Sequence, residues 1–445
     1  MKYRTHRYIA LAFGLSAWVT FSAAAQQKLS LDDAVALAKA GNPELKATAL
    51  EISRAAQQRT IAKSLLLPTV TAVGVVNHYF ELQPFFGFGE GATEGKVPYG
   101  RFGGEDQLAA VVTATQPLLN PQAYPTIQRA RLKEQESSLL FRERQLETVA
   151  LVKQTYLQAL VLHERIKIQQ ESIERNQLAL QDARSLFAQG KGLRVDTLRA
   201  FTSVKNLEPA LLKLQFAEQT SKLQLKALLA IDSLTDIQLS DSLYLQGASE
   251  TLSEEDVYGE ARTRNPGYQV IALQQQIAGR QEKIAAGGRL PTISAVGAYQ
   301  INSQTQKFDY NNAYFPSSSF VGLQVAVPLF TGMSNQAKVR QASIEKNQWE
   351  LRSADAFEQL RAKAHQVVAD NRESLVRLQT TATVSETARL SYSIVEYRYK
   401  KGVSSRLELT DAELALATAE TNYLEAVYDY LSARIALLKL MGREE

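Results

Sequence analysis

The feature that most limits what this chain can fold into is that its sequence is written twice. Asn42-Pro43 recurs 223 residues later as Asn265-Pro266; at the same spacing Leu67-Pro68-Thr69 meets Leu290-Pro291-Thr292, and Ala72-Val73-Gly74 meets Ala295-Val296-Gly297. Further along, unequal loops change the offset to 211 for Pro117-Leu118 against Pro328-Leu329 and to 212 for Gly190 against Gly402. Two repeats, 26–231 and 252–445, therefore share one plan, read as helix, strand, strand, helix, helix, and a polar linker at 232–251 joins them. A unit that packs against its own copy need not divide into the three or so ordinary domains that 445 residues suggest.

Long helices are predicted at about 121–190 and 194–231, and again at about 334–401 and 405–441. From Thr126 to Gln189 the chain has 64 residues without proline or glycine. At 1.5 Å rise per residue that helix is roughly 95 Å long, wider than any compact core. In the last helix Leu409, Leu416, Tyr423, Tyr430 and Leu437 recur every seven residues, with Ala412, Ala419, Ala426, Ala433 and Leu440 three positions after each. That is a coiled-coil seam in which alanine lets neighbouring helices approach closely. Val152, Ala159, Ile166, Ile173, Leu180 and Phe187 keep the same spacing in the first repeat. Pro209 lies inside a predicted helix, where it removes a hydrogen bond, so a bend is expected near Glu208.

Strands are predicted at about 69–80, 107–116, 291–302 and 319–328, each about ten residues, the span of a tilted membrane strand. In the second repeat Ile293, Ala295, Gly297, Tyr299 and Ile301 fall on one face of a strand. Val321, Leu323, Val325 and Val327 fall on one face of its partner. Aromatic residues at the strand ends, among them Phe308, Tyr310, Tyr314 and Phe315, suit a membrane interface belt, or equally ordinary loop packing. Strands in lipid must have every edge paired, and four cannot close a barrel when the smallest common ones have about eight, so two or more chains must contribute.

Residues 1–25 combine a basic start, an apolar core from Tyr8 to Phe21 and Ala23-Ala24-Ala25, the pattern of a cleaved signal peptide. Lys2, Arg4 and Arg7 lie in that segment, so 50 basic against 46 acidic residues becomes 47 against 46, and the net charge of +4 becomes +1. Nucleic-acid binding, which needs a clustered basic surface, is not indicated. The chain has no cysteine, which excludes disulfides, thiolate metal sites, cysteine catalysis and N-terminal lipidation. His78, His163 and His365 are isolated in sequence, and no metalloprotease, nucleophile-elbow, phosphate-loop or dinucleotide motif is present. No catalytic residue, cofactor or metal is expected; the protein reads as not an enzyme, and a partner must supply the energy for any transport.

The duplicated order, the Leu-Pro-Thr junctions, Pro-Leu-Leu and Pro-Leu-Phe after the strands, and the turns at Gly190 and at Tyr399-Lys-Lys-Gly402 together resemble the TolC-like outer-membrane efflux proteins along the whole mature chain. The resemblance implies a mainly α protomer with membrane β-structure, three copies forming a 12-stranded β-barrel continued by a 12-helix periplasmic α-barrel. It implies an outer-membrane exit duct for efflux or type I secretion. The implied partners are two further copies of the chain, outer-membrane lipid, a periplasmic adaptor and an inner-membrane pump of RND, ABC or MFS type. Pro68, Pro117, Pro291 and Pro328 mark strand-helix junctions, where proline ends one periodicity, and Gly190, Gly192 and Gly402 suit the helix-helix tips.

In such proteins the tips close the tunnel and meet the adaptor. Asp196 and Tyr399 occupy positions resembling an inter-helix gating network, but Ser404 stands where the family pattern has arginine; Arg194 or Arg406 can supply the charge. Glu408 and Asp411 match acidic positions that ring the narrow opening and favour cations, or are simply first-turn carboxylates on a helix N-terminus. The competing reading is a periplasmic coiled-coil scaffold or adaptor, which predicts a soluble protein without detergent-stable trimers.

Overall fold

In a computed structural model, residues 27–87, 97–243, 252–306 and 313–444 are described. The expected signal segment, Phe308 and Tyr310 lie outside them. The first repeat runs β1 (Gln27–Leu29), α1 (Leu31–Gly41), α2 (Pro43–Ser64), β2 (Thr69–His78), β3 (Pro84–Phe86), β4 (Tyr99–Arg101), β5 (Asp106–Leu119), α3 (Ala123–Ala188) and α4 (Arg194–Leu229). After β6 (Ile237–Leu239) the second runs α5 (Glu254–Arg264), α6 (Pro266–Gly287), β7 (Thr292–Thr305), β8 (Ser317–Ala326), α7 (Ser334–Lys400) and α8 (Arg406–Met441).

Each repeat opens with two helices where one was expected. The cause is the Asn-Pro pair. Proline lacks an N–H and fits best in a helix's first turn, while Asn42 adopts φ −56° and ψ 121° and accepts from the N–H groups of Glu44 and Leu45 at 2.9 and 3.2 Å. Asn265 does the same for Gly267 at 2.9 Å. The polar linker also differs from expectation, because β6 within it pairs in parallel with β1. Pro117, expected at a strand-helix junction, lies inside β5. It sits beyond Thr115, the last β5 residue paired with β2, and beside a register shift against β7. There only one neighbouring strand remains, so a missing N–H is tolerated. Pro68 and Pro291 directly precede β2 and β7, and Pro328 follows β8.

The chain forms two compact units, and neither coincides with one sequence repeat. One comprises the described parts of Met1–Gly41, Val152–Gln246 and Ala382–Tyr428. Its core gathers Leu29, Ala38, Val152, Tyr156, Leu160, Leu225, Leu229 and Ile237 around the β1–β6 pair. The Tyr156 hydroxyl is 2.9 Å from the Leu29 carbonyl and 3.0 Å from the Asp241 carboxylate, which also accepts from the Leu31 N–H at 2.7 Å. Burial and the Asp241 carboxylate push the Tyr156 phenol well above its ordinary range. In the same unit α4 stays helical through Pro209, and Gln169 Nε2 of α3 donates to the nearby Leu207 carbonyl at 3.0 Å.

The other unit comprises the described parts of Asn42–Leu151, Gly247–Thr381 and Asp429–Glu445. It contains a helical core of Val257, Ala364, Val367, Val368, Leu437 and Met441 and an antiparallel sheet ordered β2-β5-β7-β8. The repeats therefore meet at β5–β7, and β2 and β8 form the sheet's edges. Register pairs Ala114 with Gly297 and Gly297 with Val321, then Gln116 with Ala295 and Ala295 with Leu323. Paired residues point the same way, so Val70, Ala72, Val112, Ile293, Tyr299, Val321, Leu323 and Val325 share a face built mainly of apolar and small side chains. The opposite face is more polar, carrying Thr69, Thr71, Thr113, Thr115, Ser294, Gln300 and Gln324 beside Val73, Val111 and Phe320.

Candidate functional site

The site is built where the long helices turn back in pairs. Both turns use the same backbone device. Gly190 at φ 68° follows α3 and Gly402 at φ 73° follows α7; their N–H groups donate to Phe187 and Tyr399 carbonyls at 3.0 and 2.9 Å. The next N–H groups, of Lys191 and Val403, reach back to Leu186 and Arg398 at 2.9 and 3.0 Å. This double bond pattern closes a helix end and needs a left-handed residue, which glycine supplies without a Cβ clash.

Beyond the turns the repeats diverge. At the 212 offset Arg194 corresponds to Arg406, Asp196 to Glu408 and Leu193 to Ser405. Ser405 accepts from the Glu408 N–H at 3.2 Å and so caps α8, whereas Leu193 caps α4 with no side-chain bond. Arg194 is exposed, but Arg406 is half-buried with its guanidinium carbon 5.9 Å from the centre of the Tyr399 ring, within cation–π range. Its Nη1 is buried without a hydrogen-bond partner. Ser404 donates to Glu408, and Glu408 and Asp411 are exposed. Asp196 is half-buried in the first turn of α4. A cleft of about 380 Å³ lies between the starts of α4 and α8, lined by Val195, Leu198, Arg199, Arg406, Leu407 and Thr410. The tip thus brings Arg406 to Tyr399 and beside α4, while among the described residues no hydrogen bond joins Asp196 to Tyr399.

Deeper in the same helices are charges that sequence reading missed. Glu413 is 5% exposed, and its Oε1 accepts from Asn176 Nδ2 at 2.7 Å, Ser172 Oγ at 3.3 Å and Arg175 Nε at 3.4 Å. Glu420, one heptad on and 8% exposed, accepts from Arg389 Nη2 at 2.7 Å. Burial raises the Glu413 carboxyl above its ordinary range, and Arg175 and Ser172 only partly offset it. Both residues directly follow an alanine of the α8 seam, at positions that coiled coils commonly fill with solvated charge, so the pattern alone gave no sign of burial. The histidines, isolated in sequence, each meet one carboxylate: His78 with Asp106 at 2.6 Å, His163 with Glu218 and His365 with Glu254 at 3.0 Å.

Both repeats match the outer membrane efflux protein family, over residues 34–230 and 257–443. The chain belongs to that family. Among curated relatives of this outer membrane efflux protein, the alkaline protease secretion protein AprF of Pseudomonas aeruginosa is 23% identical over 414 residues, covering 91% of this chain and 82% of AprF. The proteases secretion protein PrtF of Dickeya chrysanthemi is 24% identical over 449 residues, covering 96% and 91%. The solved outer-membrane channel OprN superposes with a TM-score of 0.76 at 18% identity, covering 93% of this chain and 89% of that one. The efflux protein therefore has the TolC-like protomer fold and is placed in the outer membrane as an efflux channel.

Proposed function

We propose that this efflux protein is a passive exit duct in which three copies each contribute four strands to one barrel. The observation that carries the reading is the sheet: β2 and β8 are edges, and Val321, Leu323 and Val325 on β8 are 89%, 72% and 60% exposed on the predominantly apolar face. A soluble scaffold would leave that surface in water, whereas lipid solvates it and neighbouring copies pair the edges. A periplasmic adaptor and an inner-membrane pump supply direction and energy in this reading.

The tip is the gate in this reading. Arg406, rather than its repeat-equivalent Arg194, takes the part of the arginine missing at Ser404, because Arg406 is the one held against Tyr399. Asp196 then contributes through a neighbouring copy, and Glu408 and Asp411 offer exposed negative charge at the opening. Planar-bilayer recording on detergent-purified protein, combined with native mass spectrometry, tests the proposal. A trimer that conducts once tip residues are substituted is expected; a soluble monomer, or no conductance from any tip variant, would overturn it.

A further inference from the structure

Glu413 belongs to α8, in the second repeat, while Ser172, Arg175 and Asn176 belong to α3, in the first. Its neighbour Glu420 instead holds α7, the other helix of its own hairpin, through Arg389. The two buried carboxylates thus have different tasks: one fastens a hairpin internally and the other fastens the two hairpins together. A second α3–α8 ion pair, Arg165 with Glu425 at 3.1 Å, is screened because Glu425 is 52% exposed.

Every element around Glu413 contributes charge or a titratable group. From α3 come Arg175 and, paired with it at 3.5 Å, Glu171. From α7, Tyr392 lies under the Arg175 guanidinium at 5.7 Å, and Glu396 acts on that phenol. From α8 comes Arg406, whose charge also acts on Glu413. Arg175 Nη2 and Arg406 Nη1 are both buried without a hydrogen-bond partner, so the cluster leaves guanidinium donors unsatisfied. A packing arrangement that keeps a carboxylate from water and leaves donors unspent is under tension.

We propose that Glu413 is the releasable joint between the two repeats at the tip: opening the duct breaks its hold on Ser172, Arg175 and Asn176, and proton uptake by Glu413 tightens the closed packing. This rests on the duct reading above. The sign follows from burial. The packed state favours the neutral carboxyl, so closure is strengthened as pH falls toward the ordinary value of 4.5 and weakened as pH rises above the raised one. A glutamine at 413 keeps the acceptor for Ser172 and Asn176 without the charge, whereas alanine removes the acceptor as well.

The test is single-channel recording of the purified oligomer at pH 5.5 and pH 7.5. The wild type is expected to conduct less at the lower pH; E413Q is expected to conduct little at both, and E413A to conduct freely at both. Because the chain has no cysteine, Ser172→Cys combined with Glu413→Cys can be bridged by a short bis-methanethiosulfonate reagent, each thiolate forming a disulfide as a methanesulfinate leaves, and the bridge is expected to abolish conductance until reduction. If Arg406→Ala conducts while E413Q and E413A keep the wild-type level and pH slope, or complete bridging leaves conductance unchanged, the joint is refuted and the duct stands. If no variant conducts, the duct reading itself falls.

Discussion

Arg443 forks onto Glu260, with Nε 2.8 Å from Oε1 and Nη2 2.7 Å from Oε2. Arg264 adds a third contact to Oε1 at 2.7 Å, and the two guanidinium groups hold the Glu260 carboxyl below its usual range, Arg443 contributing most. Arg443, just beyond the end of α8, is thereby fixed to α5. Arg443→Ala is expected to cost about 1–2 kcal/mol, toward the low end for hydrogen bonds to charged groups because Arg443 is partly exposed. A carboxyl held low contributes stability above 4.5 that disappears as pH falls through its native value, so the loss should be present at pH 7 and vanish in strong acid. Thermal unfolding followed across pH checks both the size and the direction.

The two faces of the sheet should tolerate charge differently. Val321→Lys lies on the apolar face and is expected to cost about 2–4 kcal/mol if it falls near the bilayer midplane, with loss of protein from the outer-membrane fraction. Gln324→Lys, three positions away on the polar face, should leave membrane insertion intact. Equal yields of both variants in membranes would contradict the assignment of faces.

Arg194 and Arg406 are equivalents in the duplicated sequence, but only Arg406 is packed against Tyr399. Conductance in planar bilayers should therefore rise in Arg406→Ala and stay near wild type in Arg194→Ala. The reverse order would move the gating charge to the first repeat.

Glu408 and Asp411 lie three positions apart, so they share one side of α8. Glu408→Gln with Asp411→Asn is expected to reduce the preference for cations, read as a smaller reversal potential in a salt gradient. An unchanged reversal potential would leave them as solvated first-turn carboxylates.

Pro209 interrupts the hydrogen-bond ladder of α4, and Gln169 donates to a carbonyl close by. Pro209→Ala restores a donor and should raise thermal stability, by no more than the roughly 3 kcal/mol that proline costs in a helix interior. The same substitution should straighten α4 if the expected bend is present, which inter-spin distances across residues 205–213 would measure.

What was legible in the sequence was whatever the backbone itself imposes at short range. Proline before Thr69 and Thr292, glycine at 190 and 402, and the seven-residue spacing in α8 all act within a few residues of where they are written. Even there Asn42-Pro43 served only as a mark of duplication, although a capping asparagine before a first-turn proline is also a helix start. The meeting of the repeats at β5–β7 was not legible, because strand pairing depends on partners about 190 residues apart. Glu413 was hidden for a related reason. Its neighbours on α3 are more than 230 positions away, and a heptad edge looks the same whether solvent or another helix covers it.

The order β2-β5-β7-β8 also gives the sheet a direction. All four strands alternate, so β2 and β8 run oppositely, and the β8 edge of one copy can accept the β2 edge of the next while both keep the same side up in the bilayer. A two-fold dimer joining β2 to β2 would invert one partner. Only head-to-tail interfaces are compatible with a common orientation, and those have a free edge at each end until rotation closes the ring. Incomplete rings then carry unpaired amides wherever they stop, which makes assembly in lipid an all-or-none event governed by closure rather than by the strength of any single joint.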